Sequence, residues 1–268
     1  MESSAPVVEV NGAPVTPADL ELLAFSNYGH YTAMQVRHHA VRGLDLHLSR
    51  LDENARILFG QAPDPGWVRD CLRHAVGTGR ACSVQVTLFS RALRCLAHGS
   101  AVEPDIMVAV SPPDEPQTSA LRVRCADYER ETPQVKHLAT YGLLRAVRAA
   151  RTAGFDDVLF VDRTGLVSEG STWNVCFHDG HQWVWPDAPA LREVTMQLLQ
   201  TAMAEAGVPV ASEPILTTDL GRFTAAFATN SVTAARPLTA LDALPLKRDD
   251  TLLSMLHALY DTVPWQPL

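Results

Sequence analysis

Nine residues, SPPDEPQTS at positions 111–119, constrain this chain more than any other stretch. Their three prolines can neither continue a helix nor sit inside a sheet, and the rest are polar. A break of that kind predicts a linker at 112–119, with a small N-terminal lobe over 1–111 and a larger C-terminal lobe over 120–268. Both sides mix helical and strand periodicity. Leu48, Leu51, Ala55 and Leu58 recur at helical spacing in HLSRLDENARILFG, which stops on Gly60, and residues 64–79 repeat the pattern. SVQVTLF at 83–89 and DIMVAV at 105–110 read as strands. Beyond the linker come a strand near 120–128, a helix across LLRAVRAARTAG ending at Gly154, and strands in DDVLFVD and NVCFH. A helix is expected over PALREVTMQLLQTAMAEAG, with Asp187 before it and Pro189 in its first turn. AAFATN is a further strand and residues 249–262 a closing helix. Strands and helices in both halves predict a mixed α+β protein of two lobes.

A hydrophobic content of 47% over 268 residues supplies a sizeable core. A net charge of -8, with no run of like charges, argues against a nucleic-acid or anionic-membrane surface and for small-molecule partners. The five cysteines, Cys71, Cys82, Cys95, Cys125 and Cys176, are scattered and form no CxxC pair, so neither a disulfide framework nor a zinc knuckle is expected. MESSAPVVEV has neither the basic nor the apolar region of a secretion signal, and no apolar run reaches the roughly 18 to 20 residues of a membrane span. The expected location is the cytoplasm.

Of the 22 basic residues only Lys136 and Lys247 are lysines. A surface cation can be of either type, whereas a site that needs a deprotonatable amine can use only lysine. Lys136, in TPQVKHLATYG, therefore has two readings: an exposed lysine ahead of a helix, or an amine that forms a Schiff base. In VSEGSTWNV, residues 167–175, Glu169 lies in a turn between apolar strands near the junction of the lobes. A carboxylate held there needs a cationic or protonated partner. The plainer reading is a polar hairpin turn. In HLSRL, His47 and Arg50 share one helical face, and a guanidinium suits bidentate phosphate binding. The expected helix start at Ala190, Leu191 and Arg192, with the turn ATNSVT at 228–233, offers backbone N–H groups and a serine to a phosphate. His38, His39, His178 and His181 lack a third ligand at metal spacing, so no metal site is expected.

In this order and spacing, the HxxRL arginine, the lysine, Glu-Gly-Ser some 33 residues on and TNS before a proline resemble the fold-type IV pyridoxal-phosphate enzymes, the class IV aminotransferases. That family includes branched-chain and D-amino acid aminotransferases and aminodeoxychorismate lyase. The resemblance runs from GHYTAMQV at 29–36 to RPLTALD at 236–242 and is most specific over 135–178. It implies that Lys136 forms the Schiff base with pyridoxal 5'-phosphate and then moves the proton. It implies further that Glu169 keeps the pyridine nitrogen protonated, that Tyr141 bonds the ring oxygen, and that Arg50 binds the phosphate with Ser231 and the backbone near Ala190 and Leu191. Tyr31 falls at a substrate-facing position. The family's arginine motif after the small-lobe strand reads TLFSRAL here, which leaves Arg91 and Arg94 as candidates for a substrate carboxylate and Trp173 as a residue narrowing the substrate site or pointing to solvent. The resemblance implies transfer of an amino group between a small-molecule donor and a carbonyl acceptor, in a homodimer that shares its active sites. A lyase of the aminodeoxychorismate type and a non-catalytic relative acting as an assembly partner are the alternatives.

Overall fold

The computed structural model describes residues 7–78 and 81–268; position 79, the last of the second expected helix, and the first six residues of MESSAPVVEV lie outside them. The chain forms two compact units. One runs to Asp114 and takes back two short pieces, Val135–Ala139 and Trp265–Leu268, while the other holds Glu115–Gln134 and Thr140–Pro264. A contiguous division into lobes does not contain these two returns. Both join the first unit by backbone pairing to distant strands, which local composition does not encode.

The first unit has strands β1 (Val7–Val10), β2 (Ala13–Pro14), β3 (Gly29–Val36), β4 (Ala40–Arg42), β5 (Cys82–Phe89) and β6 (Asp105–Ser111). Five of them make an antiparallel sheet in the order β2-β1-β6-β5-β3, and β4 pairs with the C-terminal Trp265–Pro267. Helices α1 (Pro17–Phe25), α2 (Leu44–Phe59), α3 (Pro65–Val76) and α4 (Leu93–Ala97) complete it. Leu51, Ala55 and Phe59 of α2 and Val68 and Leu72 of α3 pack against Met34, Val84, Val86 and Val108 of the sheet. Of the stripe that predicts α2, Leu51 and Ala55 are buried and Leu48 and Leu58 half-buried, and the buried face also takes in His47, Arg50 and Asn54. Gly60, with φ of 77°, ends α2 in the left-handed conformation that glycine adopts at least cost.

The second unit is built on a mixed sheet. Its elements are β7 (Leu121–Asp127), α5 (Tyr141–Thr152), β8 (Asp157–Val161), β9 (Val167–Gly170), β10 (Asn174–His178), β11 (Trp183–Pro186), α6 (Val194–Glu205), β12 (Val210–Glu213), β13 (Ala225–Thr229), β14 (Arg236–Leu241), β15 (Leu244–Pro245) and α7 (Asp250–Thr262). The sheet order is β12-β11-β10-β13-β14-β7-β8-β9, with β15 beside β14. Val175 and Phe177 of β10 enter one apolar cluster, whereas Cys176 between them enters another with α6 and α7. Both faces of the sheet are covered there, which is why NVCFH and AAFAT run without polar alternation. The α+β expectation holds.

Helix α6 departs from expectation, beginning at Val194 rather than near Pro189. Asn174 explains the delay. Its side-chain amide donates to the Leu191 carbonyl at 2.9 Å and accepts from the Glu193 N–H at 2.9 Å, holding the preceding loop extended. A tertiary clamp of this kind overrides a proline start signal.

Candidate active site

Lys136 stands on a short extended stretch that continues the first unit's sheet past its end strand. Its carbonyl accepts from the Tyr31 N–H at 2.9 Å, the Leu138 N–H donates to the Gly29 carbonyl at 2.9 Å, and His30 and His137 bridge the two segments antiparallel. A Cβ at position 29 would sit 2.6 Å from the Leu88 carbonyl and 3.0 Å from a Leu138 methyl, so only glycine permits this approach. The lysine is buried, 9% exposed, with Nζ 5.2 Å from the centre of the Tyr31 ring. Lys247, by contrast, leaves 77% of its side chain in solvent, 3.9 Å from Asp249. The two lysines thus fall on opposite sides of the choice that the sequence left open, and Lys136 is the enclosed amine.

Arg50 and His47, one turn apart on α2, are both buried. The Arg50 Nη2 donates to the Thr32 hydroxyl, which lies 2.7 Å from His47 Nδ1. Beside them His30 is fully buried, and neither ring nitrogen has a hydrogen-bond partner among the described residues. Burial first, and the Arg50 charge second, push its pKa from 6.5 to about 3. The folded chain therefore leaves off a proton that the unfolded chain takes up below pH 6.5, so stability is present above that pH and is lost as pH falls toward 3. We expect His30→Leu to flatten that loss, which otherwise runs at up to about 1.4 kcal/mol per pH unit. Denaturant midpoints between pH 6 and pH 4 measure it, and parallel curves for the two chains would rule the effect out.

In the second unit Glu169 is buried on β9, and Arg130 is its partner. The guanidinium Nε donates to Oε1 at 2.8 Å while Nη2 donates to the Ser171 carbonyl at 2.7 Å. Both side chains are almost fully enclosed. The cationic partner that Glu169 requires exists, but nothing in YERETPQ marks Arg130 as that partner: its neighbours are other charges. The Leu191 N–H also donates to Glu169 Oε1, at 3.3 Å. The Leu191 N–H is thereby engaged by the carboxylate, and neither Leu191 nor Ala190 lies on a helix.

The true first turn of α6 is the better anion cradle. Its first intrahelical bond comes from the Gln197 N–H, so the N–H groups of Val194, Thr195 and Met196 have no carbonyl behind them, and no side chain caps the helix. The buried Thr195 hydroxyl donates to the Asn230 carbonyl at 2.9 Å. Asn230 Oδ1 in turn accepts from the N–H groups of Val232 and Thr233 at 3.0 and 2.8 Å. The turn that carries Ser231 is thus tied to the first turn of α6. Sequence reasoning missed Val194 and Thr195. The apolar period through Met196, Leu199 and Met203 is a signal that starts the helix at 194.

Four other expectations are corrected or narrowed. Trp173 neither narrows a substrate site nor points to solvent: it is 3% exposed in the apolar core and donates from Nε1 to Asp157 at 3.0 Å. Its ring covers Gly170, where a Cβ would lie 2.0 Å from it. Arg91 donates to Asp19 and Asp105, so its fork is already committed to carboxylates of the chain itself. Arg94 is exposed on α4 and has no ion pair among the described residues. Tyr141 opens α5 and is 77% exposed.

The family model for amino-transferase class IV matches residues 29–241. In fold the chain is similar to a branched-chain aminotransferase from the archaeon Thermoproteus uzoniensis, solved with norvaline, at 16% identity and a TM-score of 0.83 over 97% of this chain and 95% of that one. It is also similar to a fold IV transaminase from Curtobacterium pusillum, at 23% identity and a TM-score of 0.78 over 96% and 99% of the two chains. A putative 4-amino-4-deoxychorismate lyase from Legionella pneumophila is similar at 18% identity and a TM-score of 0.78, over 90% and 93%. No curated protein matches the chain in sequence.

Proposed function

Because the chain belongs to amino-transferase class IV, a family of pyridoxal-phosphate-dependent aminotransferases, we propose that it moves an amino group from a small amino acid or amine to an oxo-acid acceptor, with Lys136 as the reacting amine. The observation that carries this reading is the enclosure of Lys136 on a backbone-pinned strand, in a chain whose other lysine lies in solvent. The donor set fits the cofactor: an amine for its aldehyde, a buried carboxylate for its ring nitrogen, and a guanidinium and a helix N-terminus for its phosphate.

When bound, the cofactor supplies a carbonyl for the amine and a ring that withdraws electrons from the carbon losing its proton. Lys136 would hold the cofactor through its amine, and its Nζ, when free, would take the proton from the substrate carbon and return it. Glu169 would accept a hydrogen bond from a protonated ring nitrogen. Arg130, fixed by the Ser171 carbonyl, keeps the carboxylate oriented through Oε1. Arg50, Ser231 and the N–H groups of Val194 and Thr195 bind the phosphate. Tyr141 at the start of α5 would bond the ring oxygen. Tyr31 faces the substrate, and Arg94 is the arginine of its pair that keeps its fork available for a substrate carboxylate.

We place the enzyme in the cytoplasm as a homodimer with shared active sites. The free thiols of Cys71, Cys82, Cys95, Cys125 and Cys176 support a reducing compartment. Net negative charge supports small-molecule partners over nucleic acid or membrane. The loaded enzyme, given an amino donor and no oxo acid, should stop after one turnover with its cofactor converted to pyridoxamine phosphate. Continuous turnover without an acceptor would replace this reading with that of a lyase, and a chain that fails to react with any donor in a panel would favour the non-catalytic relative.

A further inference from the structure

The face of β3 that packs on α2 carries His30, Thr32, Met34 and Val36, all buried, because side chains two apart along a strand share a face. Two of the four are polar. On α2 the residues His47, Arg50 and Asn54 follow one another at helical spacing, and all three are buried as well. A polar stripe thus runs through a seam whose surroundings, Met34, Leu44, Leu51 and Phe59, are apolar. Burying an arginine in such a seam is costly unless its N–H groups are bonded.

Thr32 Oγ1 is where the stripe meets the strand. A guanidinium has donors and no acceptor, so Oγ1 accepts from Arg50 Nη2. The single hydroxyl hydrogen then goes to His47 Nδ1, 2.7 Å away. Nδ1 also lies 3.5 Å from Arg50 Nη2, so donors face it from both sides. With Nδ1 as the acceptor, the imidazole proton sits on Nε2. Burial keeps His30 uncharged beside the Arg50 cation.

We propose that Thr32 is a positioning residue, whose hydroxyl, oriented by His47 Nδ1, sets the Arg50 guanidinium for the cofactor's phosphate. The proposal rests on the reading of Arg50 as a phosphate ligand. An arginine side chain carries about 2 kcal/mol of rotamer entropy, and a contact that fixes one edge of the fork removes part of that cost before the anion arrives. Only an acceptor beside Nη2 does this: valine has the shape of threonine without the oxygen, and serine has the oxygen without the methyl.

The test compares the affinity of the full-length, cofactor-stripped chain for pyridoxal phosphate and for pyridoxal, which lacks the phosphate. Thr32→Val should weaken pyridoxal phosphate binding about tenfold, the scale of one hydrogen bond to a charged group, and leave pyridoxal binding unchanged. Thr32→Ser should bind both as the parent does. Arg50→Ala should lose more of the same selectivity, on the order of a hundredfold. If Arg50→Ala loses it and Thr32→Val does not, the positioning role is wrong and the phosphate role of Arg50 stands. If Arg50→Ala binds both ligands like the parent, the phosphate reading fails and the role of Thr32 falls with it. A Thr32→Val chain that weakens toward both ligands alike also overturns the proposal, since general loosening of the fold would do the same.

Discussion

Lys136→Ala should abolish transamination and, with it, the ability of borohydride to fix the cofactor to the chain. On the proposed reading the substitution removes both the amine that would link to the aldehyde and the base that would take the proton. A positioned acid or base alone contributes about 10²- to 10⁴-fold, so a loss of at least about 10⁴-fold is expected for the two together. The fold should survive, because the segment is held by the backbone: the Lys136 carbonyl accepts from the Tyr31 N–H, and the Leu138 N–H donates to Gly29. Lys136→Arg should be as inactive as alanine, since a guanidinium stays protonated and forms no such link. Lys247→Ala is the control. That lysine is 77% exposed beside Asp249 and should be replaceable without effect on rate. Appreciable turnover in the Lys136→Ala chain, with circular dichroism matching the parent, would remove Lys136 from the chemistry.

The elements that could be read from the sequence are those whose own side chains decide them. Helix α2 is visible because Leu48, Leu51, Ala55 and Leu58 repeat at its period and Gly60 ends it. Strand β13 is visible because both of its faces are buried and its residues are uniformly apolar. What stayed hidden depends on partners distant in sequence. The start of α6 is fixed by the Asn174 amide about twenty residues earlier, and no reading of PALREV alone contains that clamp. Trp173 looks like a turn residue in SEGSTWN, yet its ring covers Gly170 and its indole N–H reaches Asp157. Order and spacing single out Lys136, Glu169 and Arg50 as candidates, and all three are buried. The groups that hold them, Arg130 and Thr32, carry no local signal, since an arginine among charges and a threonine in a strand are ordinary residues.

Arg130→Met should destabilise the second unit more than any other single change proposed for it. Glu169 and Arg130 are both nearly fully enclosed, with Nε and Oε1 2.8 Å apart. In such a pair the attraction only offsets the cost of desolvating two charges, whereas removing one partner leaves the other charge enclosed without it. The expected loss is about 3 to 5 kcal/mol by denaturant unfolding. The Ser171 carbonyl also loses its donor, which places the effect toward the upper end. If the cost arises from the carboxylate's loss of this cation, adding Glu169→Gln should return most of the stability, because a neutral amide in the same place carries no charge for Arg130 to compensate. A double variant no more stable than Arg130→Met alone would assign the cost to lost packing and to the Ser171 contact instead. The double variant should also transaminate far more slowly than the parent, since a neutral amide does not stabilise a protonated ring nitrogen as a carboxylate does. Recovery of stability without recovery of rate would separate what this ion pair does for the fold from what Glu169 does for the chemistry.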